Sequence, residues 1–268
     1  MAEKFFMTDL DGTALGGGFL PYDRFPDHYS DFLDELAADG WDWAINTTWD
    51  PEGQWALIQR SKVKSRPRFL IAEFGRQLVE VQNGQPVRIN PYTAEMNERI
   101  AEYCRKHLLP LLHKLFLRIP PKNVMYYEHL VTIKFRETIS MELLPELQEV
   151  RNSGIFAMHM EEHVLSLRAV FLSKGMPMPV LIRDFGYKPE NIVCAGDEVT
   201  DFGMMNPAYS RIFLAPGNAS EDVKKHVTDH GGYVGSEKFA SGIIDAFRQW
   251  QRQCPAESHR SHRSASES

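Results

Sequence analysis

Residues 5–13 read FFMTDLDGT, an apolar run that ends in two carboxylates, Asp9 and Asp11, followed at once by a glycine and a threonine. The apolar run predicts a buried strand, and both carboxylates then lie in the loop at its carboxyl end, where open α/β sheets bind their ligands. Two carboxylates this close repel each other, so the site requires a cation, a shared proton, or both. Gly12 permits the sharp turn that follows. This arrangement suits magnesium-assisted phosphoryl chemistry through an aspartyl intermediate.

The composition is that of an ordinary soluble globular protein, with 43% hydrophobic and 25% charged residues. A net charge of −6 gives no reason to expect a nucleic-acid partner or an anionic membrane surface. No apolar run approaches the roughly 18 to 20 residues of a membrane span. We expect no secretory signal, because a strand and a catalytic motif occupy the first residues. Three cysteines, odd in number and far apart, suit a reducing cytosol, so we expect a cytoplasmic protein.

Strand-like and helix-like segments alternate over residues 1–72 and again from residue 169 onward. An amphipathic helix pattern over 29–37 precedes the strand-like run WDWAIN at 41–46, and Asp50-Pro51 then marks the start of a second helix. Strands that alternate with helices indicate a parallel sheet covered on both faces. The predicted fold class is therefore α/β, with a Rossmann-like parallel sheet as the core.

The pattern changes near residue 75. Residues 77–81 and 86–89 flank Asn83-Gly84, which is a hairpin turn signal, and a helix pattern over 94–107 and strand candidates at 125–135 and 155–160 come later. These segments predict an α+β domain inserted into the core. The predicted organisation is a core of residues 1–77 and 169–254, an inserted domain of residues 78–168, and a disordered tail of residues 255–268.

Polar residues follow two further strands of the predicted core. Thr47 and Thr48 come directly after the strand at 41–46, where a hydroxyl can donate to a phosphate oxygen; Thr47 is favoured, with Thr48 as the alternative. Residues 192–201 read IVCAGDEVTD, an apolar strand, a glycine, and then the carboxylates Asp197 and Asp201. If a helix opens at the residue before Asp201, both carboxylates can face one cation. Hard oxygen ligands with room for waters suit magnesium better than zinc.

These motifs resemble those of the haloacid dehalogenase (HAD) superfamily of phosphatases. Residues 9–13 (DLDGT) are similar to its first motif, DxDGT, and residues 196–201 (GDEVTD) to its fourth, GDxxxD. Lys174, in the context Ser-Lys-Gly, resembles the third motif, and Thr47 the second, although residues 47–49 read TTW where Thr-Gly-Arg is usual. An insertion between the second and third motifs resembles the Cof-type, or type II-capped, branch, which includes sucrose-phosphate phosphatases.

The resemblance implies a two-step displacement. Asp9 attacks phosphorus and forms an aspartyl phosphate, while Asp11 protonates the leaving alkoxide and then takes a proton from the hydrolytic water. Lys174 neutralises the nucleophile and the transferring group. Mg²⁺ is held by Asp9, the Asp11 carbonyl and Asp197. Asp201 supports the metal ligands or Lys174, or ligates the metal directly.

The resulting functional hypothesis is a magnesium-dependent phosphomonoesterase that hydrolyses a small phosphorylated metabolite, with a sugar phosphate as the expected class. The cap of such an enzyme is expected to close over its substrate. One alternative is a phosphotransferase or phosphomutase of the same fold, since an aspartyl phosphate can pass to a second hydroxyl. Another is a catalytically silent binding protein, suggested by the altered second motif and by Glu198. The motifs indicate neither the particular substrate nor the oligomeric state.

Overall fold

The computed structural model describes residues 4–16, 23–88, 91–127, 130–140 and 144–253. In these residues the strands, numbered β1 to β12, are Lys4–Thr8, Trp41–Asn46, Phe69–Ala72, Gln77–Gln82, Gln85–Arg88, Asn123–Tyr127, Leu130–Lys134, Phe156–Glu161, Val164–Ala169, Ile192–Ala195, Ile212–Ala215 and Tyr233–Val234. The α-helices, numbered α1 to α8, are Asp27–Ala38, Pro51–Arg60, Tyr92–Tyr103, Leu109–Arg118, Pro145–Ser153, Met178–Phe185, Glu221–Asp229 and Phe239–Gln253. The other helical segments are a π-helical turn, Cys104–Leu108, and two 3₁₀ helices, Pro189–Asn191 and Val199–Gly203.

The chain divides into two compact units, residues 1–89 with 173–268, and residues 90–172. The first unit contains an eight-stranded sheet of order β12-β11-β10-β1-β2-β3-β4-β5. Neighbouring strands from β12 to β3 pair in parallel, whereas β3, β4 and β5 pair antiparallel. The α/β class with a parallel-sheet core, predicted from the alternation of strands and helices, is confirmed.

Strand β1 is central, and all five of its residues are buried. On one face Phe6 packs edge-on against Phe32 of α1 and Phe247 of α8, with ring centroids 5.6 and 5.9 Å apart. On the other face Phe5 packs against Phe69 and Tyr187, at 6.0 and 4.5 Å. Burying a phenylalanine side chain stabilises a fold by about 1.5–3 kcal/mol, so these contacts hold β1, and the loop that follows it, firmly in the sheet.

Parallel register aligns the carboxyl ends of the strands that carry the motifs. Thr8, the last residue of β1, is opposite Ile45 of β2 and Ala195 of β10. The loops after β1, β2 and β10 therefore lie together at the carboxyl ends of these parallel strands. Helix α2 begins as predicted, since the Asp50 side chain accepts from the Gly53 backbone N–H at 2.6 Å.

The hairpin β4–β5 requires a correction, because the sequence pattern placed residues 78–88 in the insertion. Strand β4 instead pairs antiparallel with β3, and its turn at Asn83-Gly84 brings β5 alongside β4. Val79 and Val81 are buried in the same hydrophobic cluster as Trp43 of β2. A change from parallel to antiparallel pairing therefore marks the edge of the core sheet and not a domain boundary.

The second unit contains a four-stranded antiparallel sheet of order β6-β7-β9-β8. Alternate residues of its central strands, Val131, Ile133, Leu165 and Leu167, are buried, as a sheet with one covered face requires. The single strand predicted over 125–135 is in fact the pair β6 and β7. Residues 128–129 between them, and the predicted tail of residues 255–268, lie outside the described residues. Among the described helices, none combines the length and apolar character of a membrane span.

Candidate active site

Asp9 directly follows β1, so it lies at the carboxyl end of this central strand. Its backbone N–H donates to the carbonyl of Ala195 at 3.0 Å, so the nucleophile predicted from the sequence is attached to the end of β10. Gly12 adopts a φ of +81°, in the left-handed region, and a Cβ atom there would lie 2.1 Å from Oδ2 of Asp197. Glycine is therefore required at this turn for two separate reasons, backbone conformation and close approach.

The loop after β10 is organised by the carboxylate of Asp201. Its Oδ2 accepts from the backbone N–H groups of Asp197 and Glu198, at 2.9 and 3.0 Å. Glu198 returns the interaction, since its side chain accepts from the Asp201 backbone, so the two residues form a capping box. The helix is a 3₁₀ turn over Val199–Gly203 that opens one residue earlier than the predicted Thr200. Glu198 is therefore a cap residue of this turn.

Lys174 joins the two motif loops. Its Nζ lies 2.7 Å from Oδ1 of Asp9 and 2.6 Å from Oδ1 of Asp201, and its side chain is only 2% exposed. Two glycines allow this approach, because a Cβ atom on Gly175 would lie 2.3 Å from the carbonyl oxygen of Gly203. The ammonium group is thus shared between the carboxylates of Asp9 and Asp201.

Burial perturbs the ionisation of this cluster. It raises the pKa of Asp9 to about 7, although the Lys174 charge opposes the rise. Burial also raises the pKa of Asp197 to about 6, against the hydrogen bond that the Thr13 hydroxyl donates to Oδ1 at 2.7 Å. For Lys174, burial alone would lower the pKa, but the charges of Asp201 and Asp9 outweigh it and hold the pKa above its usual range.

The charge balance of the cluster fits a divalent cation. Asp9, Asp197 and Asp201 each present a carboxylate oxygen, and these oxygens all lie within 4.8 Å of one another. When all three carboxylates are ionised, they carry two more negative charges than the single Lys174 ammonium balances, and all four side chains are buried. Hard oxygen ligands of this kind suit Mg²⁺. Both oxygens of Asp201 already accept hydrogen bonds, Oδ1 from Lys174 and Oδ2 from the backbone of the loop.

Asp11 lies apart from the buried cluster. Its side chain is exposed, and its Oδ2 accepts a hydrogen bond from Nε1 of Trp49 at 2.7 Å. Trp49 belongs to the loop after β2, so the contact joins the first and second motifs. The sequence identified Trp49 only as a departure from the usual second motif, and no spacing rule predicted this contact.

Family membership rests on nearly the whole chain. Residues 2–251 match the model of the family described as sucrose-6F-phosphate phosphohydrolase. The chain belongs to this family. Comparison with curated proteins gives no match.

Solved structures share the fold of this family member. A sucrose-phosphatase from Synechocystis sp., in complex with sucrose and phosphate, has a TM-score of 0.65 at 14% identity, covering 94% of this chain and 99% of that chain. A haloacid dehalogenase-like hydrolase from Bacillus subtilis has a TM-score of 0.63 at 14% identity, with 92% of each chain covered. A haloalkanoate-superfamily phosphatase from Bacteroides thetaiotaomicron has a TM-score of 0.57 at 16% identity, covering 94% and 95%. At these identities the likeness shows the fold alone.

The family match confirms two predictions, and the solved structures share the corresponding fold. The chain belongs to the HAD superfamily, in its capped, sucrose-phosphatase-like branch, and it is a phosphatase. A catalytically silent binding protein is therefore not the favoured interpretation of the altered second motif.

The two threonines of the second motif both lie at the carboxyl end of β2. Thr47 is buried, and its backbone N–H donates to the carbonyl of Ile71 at 3.1 Å, whereas Thr48 is half-buried. The assignment of phosphate binding to Thr47 or Thr48 stays a prediction, as do the catalytic and metal-binding roles of the other motif residues in this family member.

Two side chains that support the cluster were not predicted. Thr13, quoted only as part of the first motif, donates to Asp197. Asn46, the last residue of β2, donates from Nδ2 to the carbonyl of Lys174 at 2.7 Å. The signal for Asn46 was an amide at the end of an otherwise apolar strand, since a buried amide needs a partner.

Asn218 supports the first motif from the opposite side. Its Nδ2 donates to the carbonyl of Gly12 at 2.8 Å, and its Oδ1 accepts from the backbone N–H of Phe239 at 2.7 Å. The turn of the DLDGT motif is thus attached to the start of α8.

Proposed function

We propose that this phosphatase hydrolyses a sugar phosphate in a magnesium-dependent reaction through an aspartyl phosphate on Asp9. The observation that carries the proposal is the buried cluster in which Lys174 contacts both Asp9 and Asp201 beside Asp197. Sucrose 6-phosphate is the first substrate to test, because the matching family is named for its hydrolysis and a structural neighbour was solved with sucrose and phosphate.

In the first step a carboxylate oxygen of Asp9 attacks phosphorus and the bond to the ester oxygen breaks. The electron pair of that bond moves to the leaving oxygen, which takes a proton from Asp11. Lys174 holds Oδ1 of Asp9 and favours its ionised form, which is the nucleophile. Its positive charge also offsets the negative charge on the transferring phosphoryl group.

In the second step a water molecule attacks the phosphorus of the aspartyl phosphate. Asp11, now ionised, takes the proton of that water, and the bond between phosphorus and the Asp9 oxygen breaks with its electron pair returning to the carboxylate. Inorganic phosphate leaves, and both carboxyl groups regain their initial states. Asp11 suits this alternation because its exposed carboxyl stands outside the ionic cluster that holds Asp9.

Mg²⁺ would be held by Asp9 and Asp197, together with the carbonyl of Asp11. When bound, it offsets negative charge on the nucleophile and the phosphate. The hydrogen bond from Thr13 orients the Asp197 carboxylate, and Asp201 holds Lys174 in place.

The proposal is tested by phosphate release from p-nitrophenyl phosphate and from sucrose 6-phosphate, in Mg²⁺ and after chelation with EDTA. We expect turnover only with Mg²⁺, and a loss of at least about a thousandfold in Asp9→Asn, because the amide cannot act as the nucleophile. Asp245→Asn is the matched control. The Asp245 carboxylate accepts from the backbone N–H of Ser236 and is not part of the cluster of Asp9, Asp197 and Asp201. Wild type without Mg²⁺-dependent turnover on either ester or on other sugar phosphates would refute the proposal. Transfer of phosphate to a second sugar, without release, would identify a phosphotransferase instead.

A further inference from the structure

The Trp49 side chain makes a contact that has no role in the proposed reaction as described above. Its indole Nε1 donates to Oδ2 of Asp11 at 2.7 Å. Within the described residues, Oδ1 of the same carboxyl makes no hydrogen bond. The general acid and base of the proposed reaction is therefore held at one oxygen and open at the other.

The indole is itself held in place. Its ring is half-buried and packs against the hydrophobic cluster of the core sheet. The Trp49 carbonyl accepts from the backbone N–H of Glu73 and from Nε2 of Gln54, each at 3.2 Å, and Asp50 caps α2 immediately afterwards. A donor fixed by packing and by its own backbone contacts can orient a partner more precisely than a free side chain can.

The chemistry of the indole determines what this contact can do. An indole N–H donates a hydrogen bond and cannot accept one. Oδ2 of Asp11 must therefore remain an acceptor whether or not the carboxyl is protonated. In a protonated carboxyl the carbonyl oxygen is a better acceptor than the hydroxyl oxygen, so this contact favours the proton on Oδ1, the oxygen left open.

We propose that Trp49 is a positioning residue that orients the Asp11 carboxyl and assigns its proton to Oδ1. This inference rests on the proposed function. In the first step the proton on Oδ1 passes to the ester oxygen as its bond to phosphorus breaks, and in the second step Oδ1 takes a proton from water. Without the indole N–H, the carboxyl rotates freely and the proton distributes over both oxygens.

The test compares leaving groups that differ in their need for a proton. An alkoxide, as in sucrose 6-phosphate, needs protonation as it leaves, whereas p-nitrophenolate leaves without it. Single-turnover release of the leaving group isolates this first step. Trp49→Phe keeps an aromatic ring, so contact between the ring and a sugar survives while the N–H donor is lost. Trp55→Phe is the matched control, because Trp55 is a neighbouring, partly buried indole on α2.

We expect Trp49→Phe to slow release of sucrose about tenfold to a hundredfold and to slow p-nitrophenolate release less than about threefold, with little change in KM. Trp55→Phe should change neither rate. Equal slowing of both leaving groups would assign Trp49 a purely structural role and overturn the inference, as would no slowing of either.

A double-mutant cycle tests whether Trp49 acts through Asp11. In the Asp11→Asn background, Trp49→Phe should have no further effect on release of sucrose, because the group that it positions is already absent. An undiminished effect in that background would overturn the inference. Wild-type turnover with Mg²⁺ tests the proposed function separately, since the inference depends only on the ratio of variant to wild type.

Discussion

Asp9 and Asp11 are two residues apart, yet their surroundings have little in common. Asp9 belongs to a buried ionic cluster with Lys174, Asp197 and Asp201, where burial raises the pKa of Asp9 to about 7 and an ammonium opposes it. Asp11 is exposed and held by one neutral donor, the indole of Trp49. A nucleophile needs a fixed position and a stabilised charge, whereas an acid that becomes a base needs access to its proton. The surroundings of Asp9 and Asp11 match these different requirements of their proposed roles within one loop.

The largest expected effect comes from removing the cation of the buried cluster. Lys174→Met leaves Asp9 and Asp201 buried without their counter-charge, which costs about 3–5 kcal/mol of stability. Urea unfolding of wild type and variant in EDTA measures the difference, since no divalent cation then replaces the lost charge. The control is Lys225→Met, which removes an exposed ion pair with Asp229 and should leave stability unchanged. Equal stabilities of Lys174→Met and Lys225→Met would mean that the cluster is not held by its charges.

An intermediate effect is expected from the turn that joins the two regions. Gly12→Ala places a Cβ against the Asp197 carboxylate and forces a non-glycine residue to a φ of +81°, so we expect a loss of about 2–4 kcal/mol. Gly40→Ala is the matched control, because Gly40 has a φ of +78° but nothing within 4 Å of a Cβ there. Its loss should be about 1 kcal/mol. Thermal unfolding of both variants separates the effect of the Cβ contact with Asp197 from the effect of the backbone strain that both share. Similar losses of stability in the two variants would argue against the close approach at Gly12.

The smallest expected effect on stability is at the exposed region. Trp49→Phe removes one hydrogen bond from a half-buried ring, so the free energy of unfolding should fall by about 1 kcal/mol or less. Urea unfolding beside Lys174→Met gives the comparison directly. A loss as large as that of Lys174→Met would show that Trp49 maintains the fold, and the contrast between the two regions would fail.

Much of the fold was predictable because its signals are local. Apolar runs identified strands β1, β2 and β10, and the Asp50-Pro51 pair identified the start of α2. The hairpin β4–β5 was also identified as a hairpin, but its assignment to the insertion was wrong. Turn chemistry determines that two strands pair with each other, and not which sheet they extend.

The motif residues of the site were predicted because they directly follow strand-like runs. In the structure, the parallel register aligns the carboxyl ends of these strands. The ion pairs of Lys174 with two carboxylates, and the Thr13 contact with Asp197, depend on distances between loops far apart in sequence. No local pattern encodes such distances, which follow from how the strands pair and how closely two glycine-containing loops approach.

The sequence by itself predicted the superfamily and the parallel core, which are confirmed, and it identified DLDGT as the candidate catalytic motif, since these depend on residue types and spacing along the chain. The tertiary structure alone decided that Asp9 lies in a buried ionic cluster and that Asp11 lies against Trp49. The physical reason is that burial and charge pairing are properties of surroundings. Two carboxylates of identical chemistry, two residues apart, differ only through what the folded chain places beside them.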